Sequence, residues 1–294
     1  MTLRSFRFLG QGLLAWSDPA WLQYILPADS QKKMLLRGLA SLPGFSLLSR
    51  RFDGKVPFDG RVYDLDDLLA QLSDIVSKPS VSAMFVNGRR NPPRIYVWLE
   101  SEGNPLFLKI GNAMERPAFE NEVEALTGLH PDNNLLVMRP MALRFSDALV
   151  LLLSQGMSPT MHRQKKRLSP DQVLAYFARL GLQANGFFGG PVHGDLASHN
   201  VFDLGNRLLI VDWEFGAPSG PDYCDLIEIG AALVVADPNE CFDLNALKTR
   251  LYKSAGVQLD DSTLRDALAF LAERGNINAR TVLSATCPSR EGRA

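Results

Sequence analysis

Cysteine is scarce in this chain. Its three copies, Cys224, Cys241 and Cys287, are odd in number, widely spaced and in no C-x-x-C pair. That pattern argues against a disulfide framework or a thiolate metal site and fits reduced packing residues in a cytoplasmic protein. Charge of one sign is also missing: 31 basic residues face 32 acidic ones, for a net charge of −1. A balance of that kind gives no electrostatic footprint for nucleic acid and no polybasic membrane anchor. No apolar run approaches the roughly 20 residues of a membrane span, and Ala148–Leu153 reads instead as a buried strand. The N-terminus has Arg4 and Arg7 but no long apolar core or small-residue cleavage site, so export is not expected. Internal repeats and low-complexity tracts are absent. What is present is 294 residues with 46% hydrophobic content, enough for the core of one bilobal domain or two small ones.

Against that plain background one segment stands out, PVHGDLASHNVFDLGNRLLIVDWE from Pro191 to Glu214. His193, Asp195 and Asn200 follow the order H-x-D-x-x-x-x-N, and Asp212-Trp213-Glu214 comes after a turn and an apolar run. Val201-Phe202 and Leu208–Val211 read as two strands joined at Gly205-Asn206, a hairpin that would return Asp212 beside Asn200. One acid to accept a proton, with an amide and a second acid to hold a cation, suits phosphoryl transfer, where position and charge do most of the work. Asp195 is the expected base, and Asn200 and Asp212 the expected Mg²⁺ ligands. His193 is read as orienting backbone rather than carrying protons.

H-G-D-x-x-x-x-N followed by D-W-E resembles the aminoglycoside phosphotransferase and choline kinase-like families, relatives of the protein kinases. Those families show H-G-D where protein kinases show H-R-D, and D-[WFY]-E where protein kinases show D-F-G, so Gly194 and Glu214 set the chain apart from protein kinases. Gly220-Pro221 and Asp225-Leu226 are similar to the pattern that follows the metal-binding acid in that family, and Asp225 is expected to brace the catalytic loop. The resemblance covers about residues 81 to 240. It implies an α+β, bilobal protein-kinase-like fold, with a small antiparallel-sheet N-lobe plus a helix and a mostly helical C-lobe. The expected division is 1–80 as an extension packing on the kinase-like domain, 81–157 as the ATP-binding lobe and 158–294 as the catalytic lobe. The implied cofactors are ATP, or another nucleoside triphosphate, and Mg²⁺.

The upstream sequence can supply the nucleotide lobe. Val81–Val86, Ile95–Glu100 and Leu106–Ile110 read as strands, with a turn at Ser101–Asn104. By position in such a lobe, Lys109 would hold phosphates. The covering loop departs from G-x-G-x-x-G, because Gly88 is its only glycine, and Arg89 and Arg90 at its tip are read as solvated. Pro117 marks a helix start, with Phe119, Val123 and Leu126 as its apolar stripe; Glu122 shares that face and is the expected partner of Lys109. Leu135–Met138 and Ala148–Leu153 read as the last two strands of the lobe. Ser154, Gln155, Gly156 and Met157 would then form a hinge offering backbone groups to a nucleobase.

The remainder is mostly helical. Ser169-Pro170-Asp171-Gln172 is a capping box ahead of Val173, Leu174, Phe177 and Leu180. Asp225–Ala236, Leu244–Ser254 and Asp261–Arg274 also read as helices, with a loose tail after Thr286. In the extension, Trp16, Trp21, Tyr24 and Leu26 supply large apolar surfaces. Leu65, Leu68, Leu69, Leu72, Ile75 and Val76 read as one amphipathic helix starting at Asp64, packing against the small lobe. Seven acids between Glu214 and Asp243, with no Lys or Arg, would suit a cationic acceptor. Arg163, Lys165, Lys166 and Arg167 would suit an anionic one, though either run reads first as a solvated face. His199, just before Asn200, is a candidate to line the substrate site. The expected partner is a small-molecule hydroxyl acceptor such as a sugar, amino sugar or amino alcohol, in a surface-polysaccharide pathway by analogy. The rival expectations are a nucleotide-binding pseudokinase serving as a regulatory module, and a protein kinase.

Overall fold

The structure, a computed structural model, describes residues 3–8, 12–18, 21, 50–88, 92–129, 135–158, 161, 166–179, 191–198, 200–205, 207–237 and 242–285. Arg89, Arg90, Tyr24, Leu26, Arg163, Lys165, Leu180, His199, Asn206, Glu240, Cys241, the tail after Thr286 and Cys287 lie outside the described residues. The fold is mixed α+β. The chain divides into two compact units, Met1–Phe119 with Met138–Gln164, and Glu120–Val137 with Lys165–Ala294.

The first unit is built on an antiparallel sheet of eight strands. In chain order these are β1 (Arg4–Phe8), β2 (Gly12–Trp16), β3 (Arg50–Arg51), β6 (Ser80–Asn87), β7 (Arg94–Ser101), β8 (Asn104–Asn112), β10 (Pro140–Phe145) and β11 (Leu149–Gln155). Their spatial order is β10-β11-β8-β7-β6-β2-β1-β3. A separate hairpin pairs β4 (Lys55–Phe58) with β5 (Arg61–Asp64). Its turn, Asp59-Gly60, has positive φ at both residues, as a two-residue hairpin loop demands. The β7–β8 turn at Glu102-Gly103 solves the same problem in the same way, within the expected turn Ser101–Asn104.

Alternation decides the two faces of this sheet. Met84, Val86, Ile95, Val97, Leu108, Ile110, Leu151 and Leu153 point to one core, which Leu65, Leu68, Leu69, Leu72 and Val76 share. The helical stripe expected from 65 to 76 is shorter than its spacing implied. Helix α1 covers Leu65–Ala70, capped by the Asp64 carboxylate on the Asp66 N–H. It then tightens, with Leu72, Ser73 and Ile75 N–H donating three residues back. Ser73 and Asp74 are residues whose side chains compete with helical backbone bonding, while the i→i+3 turns still deliver Leu72 and Val76 to the core. The opposite face carries an aromatic row, Phe85 on Tyr96 at 6.4 Å and Tyr96 on Phe107 at 6.1 Å, nearly parallel. Lys109 lies on that face, opposite Tyr96 in register.

Helix α2 (Arg116–Gly128) follows a short 3₁₀ turn at Ala113–Glu115, one residue before the expected Pro117 start. Its buried stripe is Phe119, Glu122, Ala125 and Leu126, with Val123 only half-buried. At about 100° per residue the buried positions 119, 122, 125, 126 and 129 centre on Glu122, which leaves Val123 at the edge of the inward face.

The second unit holds a four-stranded sheet and the remaining helices. Strands β12 (Lys166–Arg167), β13 (Val201–Asp203), β14 (Leu208–Ile210) and β9 (Leu135–Val137) lie side by side in that order. This corrects one expectation: the segment Leu135–Met138, read as a strand of the small lobe, supplies Leu135–Val137 to this second sheet, parallel to β14, while Pro140–Phe145 pairs with β11. Three apolar residues cannot specify a partner by themselves, and Leu135 and Val137 find the buried environment of Leu208 and Ile210.

Helices α3 (Pro170–Arg179), α4 (Cys224–Ala236), α5 (Leu244–Ala255), α6 (Asp261–Glu273) and α7 (Ile277–Ser284) complete the unit. The capping box forms as its sequence prescribes, with Gln172 N–H donating to Ser169 Oγ and Ser169 N–H donating to Gln172 Oε1. Val173, Leu174 and Phe177 of α3 join α4, α5, α6 and the 192–213 segment in one core. Among the described residues, no helix is long and apolar enough to cross a membrane.

Candidate active site

Two chain segments in the second unit, 192–200 and 211–217, are laced together by backbone. Val192 and Ala217 exchange both N–H···O bonds at 2.9 Å, and Val211 N–H donates to Asn200 O at 3.0 Å. The β13–β14 pairing, Val201 against Ile210, continues the same ladder. Asp195 and Asn200 on the first segment and Asp212 on the second are therefore carried on one connected backbone scaffold, as the hairpin reading expected.

Side chains lock the loop from inside. His193 is fully buried and bridges two backbone groups: its Nδ1 accepts from Asp195 N–H at 3.3 Å and its Nε2 lies 3.0 Å from Val211 O. A carbonyl can only accept, so Nε2 carries the proton, and both ring nitrogens are engaged in holding the two segments together. The ring rests on buried Trp213, with centroids 4.7 Å apart. Asn200 donates from Nδ2 to Asp195 O at 2.9 Å, which fixes the amide orientation and leaves its oxygen turned the other way.

Gly194 has φ +77°, and a Cβ there would sit 2.4 Å from Phe215 O. Only glycine fits where the two segments cross. Asp212 itself has φ +67°, a left-handed conformation that aspartate tolerates better than most residues and that a surrounding scaffold must hold.

Beneath the loop lies helix α4 with two buried carboxylates one turn apart. Asp225 accepts from His193 N–H and Gly194 N–H at 3.0 Å, the bracing role expected of it. Glu228 accepts from Leu196 N–H at 2.7 Å. Burial pushes the Asp225 carboxyl up to about 7, against the pull of those two N–H donors. Burial first, and then the neighbouring charge of Asp225, push Glu228 well above the ordinary carboxylate range. Glu228 was missed in the sequence, although a carboxylate inside CDLIEIGAALVVA signals a bonded role, since burying one unpaired is costly.

The acids downstream of Glu214 do not form a free anionic lining. Asp225 and Glu228 hold loop backbone, Asp237 pairs with Arg250 at 3.1 Å, and Asp243 caps α5 through Ala246 N–H. The reading of a cationic acceptor drawn to this run loses four of its seven acids to those duties.

In the first unit, Lys109 is buried on β8 with its ammonium 6.0 Å from the centre of the Phe119 ring. Arg94 approaches the same ring at 5.2 Å and forms a buried ion pair with Glu115, Nε to Oε1 at 2.7 Å. Neither Arg94 nor Glu115 was singled out in the sequence. Glu122, which falls in the second unit, is buried on α2. Gly88 follows the last residue of β6. Ser154 and Gln155, expected in a hinge, are the end of β11, opposite Phe107 and Leu106. Gln155 N–H donates to Arg139 O and Gly156 N–H to Pro105 O, both at 2.9 Å, so these two donors already serve the unit's own backbone. Gly156 packs so closely that a Cβ would lie 2.7 Å from Leu106 backbone.

Asn200 and Asp212 offer hard oxygen donors, while no group of three or more His, Cys, Asp or Glu able to hold a metal occurs among the described residues. That donor set fits Mg²⁺, which is commonly held by one or two protein oxygens together with phosphate and water.

No protein-family model matches the chain, and no curated protein does. Among solved structures, the crystal structure of the BubR1 kinase domain aligns with a TM-score of 0.34 at 12% identity, over 48% of this chain and 48% of that one. The chain thus spans about half the length of that structure. What stands is an α+β chain whose second unit carries a laced, carboxylate-braced loop.

Proposed function

We propose that the chain is a kinase-type phosphotransferase that moves a phosphoryl group from ATP, or another nucleoside triphosphate, to a hydroxyl of a small molecule. The observation that carries this reading is the lacing of His193–Asn200 to Val211–Ala217 with Asp225 beneath it. It makes Asp195, Asn200 and Asp212 parts of one rigid frame rather than three unrelated loop residues. Phosphoryl transfer depends mostly on such positioning.

In this reading Asp195, half-buried on a loop braced at both neighbouring amides, accepts the proton of the acceptor hydroxyl as its oxygen bonds to phosphorus. The bond from phosphorus to the nucleoside diphosphate breaks in the same exchange. Asn200 and Asp212 would hold Mg²⁺, which when bound supplies charge neutralisation at the phosphates. The reading assigns Lys109 to the phosphates and Glu122 to fixing that lysine, with Gly88 and the segment Ser154, Gln155 and Gly156, whose Gln155 and Gly156 N–H groups are already bonded within the unit, on the nucleotide side. The kinase-like architecture and the division into residues 1–80, 81–157 and 158–294 belong to the same proposal, as does a sugar, amino sugar or amino alcohol as acceptor.

Calorimetric titration of nucleotide with and without Mg²⁺, followed by transfer assays over sugars, amino sugars and amino alcohols, tests it. The wild type should bind nucleotide more tightly with Mg²⁺, and Asp212→Asn should lose that dependence together with activity. Asp195→Asn should keep nucleotide affinity while turnover falls by about 10²–10⁴, the scale of a positioned general base. Equal wild-type affinity with and without Mg²⁺ removes the kinase reading.

A further inference from the structure

The junction between α6 and α7 is three residues long, Arg274-Gly275-Asn276; it bonds one laced segment directly and reaches the other through Glu228. Arg274 Nη2 donates to Gly216 O at 2.8 Å and to Phe215 O at 3.1 Å, and its Nε points at the same Phe215 carbonyl. Its guanidinium also lies over the Phe270 ring at 5.3 Å, which fixes the fork in place. Phe215 O is the atom against which Gly194 is packed, so this carbonyl is held from both sides.

Asn276 works through an intermediary. Its Nδ2 donates to Glu228 Oε1, while Glu228 Oε2 accepts from Leu196 N–H beside Asp195. Its own Oδ1 accepts from Ala279 N–H and caps α7. One side chain therefore ties the start of a helix to the loop that carries Asp195. Gly275 has φ +97° with nothing within 4 Å of where a Cβ would stand, so it is the conformation rather than close packing that calls for glycine at the junction.

We infer that Arg274 and Asn276 are positioning residues: together they clamp the segment after Asp212 and, through Glu228, the segment at Asp195 in register with each other. The catalytic consequence rests on the phosphotransferase reading; the clamp itself does not. Glu228 is 4% exposed, so its oxygens are shielded from water that would otherwise replace Asn276. Arg274 supplies a geometry that a lysine ammonium cannot reproduce, because a planar fork reaches two adjacent carbonyls at once.

The test uses the full chain and two conservative variants. Asn276→Ser keeps a helix-capping oxygen but cannot reach Glu228. Arg274→Lys keeps the charge but loses the fork. Residue-resolved amide exchange should show Leu196 losing protection by about tenfold or more in Asn276→Ser. Val192 and Ala217, which bond each other across the two segments, should lose a similar factor in Arg274→Lys. Amides within α5 and α7 should stay near wild type in both. Where turnover is measurable, each variant should lower kcat with little change in nucleotide KM. Unchanged exchange at Leu196, Val192 and Ala217 overturns the clamp, and so does a uniform loss across all helices of the unit, which marks a merely structural role. A wild type that neither binds nor turns over nucleotide removes the phosphotransferase reading, and the exchange pattern still decides the clamp.

Discussion

Gly194 shows how a single residue carries information that a motif only labels. In the sequence it distinguishes H-G-D from H-R-D; in the structure it is demanded by a φ of +77° and by Phe215 O, 2.4 Å from where a Cβ would stand. Gly205, with φ +97° and nothing within 4 Å, supplies the matched control. Gly205→Ala should cost about 1 kcal/mol of backbone strain. Gly194→Ala adds a clash against backbone that Arg274 holds from the other side, so its cost should exceed about 2 kcal/mol. Urea unfolding of the two variants checks this, and equal losses would mean that Phe215 yields freely. His193, Asp195, Asn200 and Asp212 were legible because they sit within twenty residues of one another in a fixed order. Glu228, Arg274 and Asn276 were not. Their bonds span 32 residues from Leu196 to Glu228, 48 from Glu228 to Asn276 and 58 from Gly216 to Arg274, and no local pattern encodes such pairs.

At the scale of elements, helix α4 sets a pH dependence that its sequence alone does not reveal. Its Asp225 faces His193 and Gly194 backbone, with Glu228 one turn on, Cys224 adjacent and Asp195 and Arg274 nearby. An unfolded aspartate ionises near 4, whereas burial holds folded Asp225 up to about 7. Between those values the folded chain binds more protons than the unfolded one, so the contribution of this group is full below about 4. It is lost as pH rises through about 7. Glu228 acts in the same direction. Wild-type stability measured relative to Asp225→Asn should therefore decline from pH 5 to pH 8, as read by urea midpoints at several pH values. Parallel curves would mean that the two loop N–H groups, not burial, govern the carboxylate. Periodicity located α3, α4, α5 and α6 well, because each has a capping residue or an apolar stripe of its own. It failed for Leu135–Val137, where partner choice belongs to Leu208–Ile210 more than seventy residues away. The β4–β5 hairpin, with its Asp59-Gly60 turn, carried a readable signal that the kinase-like resemblance, beginning near residue 81, left outside its span.

For the whole molecule, the sharpest consequence concerns the first 79 residues, which the family resemblance does not reach. Strand β2 pairs with β6 from Leu13 opposite Val86 to Trp16 opposite Ala83, and Ser17 bonds Ser82 O through both N–H and Oγ. These residues extend the sheet that carries Lys109. Val56, Phe58, Leu65, Leu68, Leu72 and Val76 bury themselves against Met84, Val86, Ile95 and Val97 on its core face. Each large apolar side chain buried this way contributes about 1.5–3 kcal/mol. Six of them together reach on the order of 10 kcal/mol, comparable to the whole stability of an ordinary domain. A chain beginning at Ser80 would leave an eight-residue edge strand open and its apolar face bare, two conditions that favour association between molecules. Expressed without residues 1–79, the protein should be recovered aggregated or should melt without a cooperative transition, as judged by size-exclusion chromatography and thermal denaturation. A monomeric truncation with a Tm within a few degrees of the full chain would show that the eight-stranded sheet does not need its N-terminal strands. In that case the unit's stability would reside in β6, β7, β8, β10 and β11 alone.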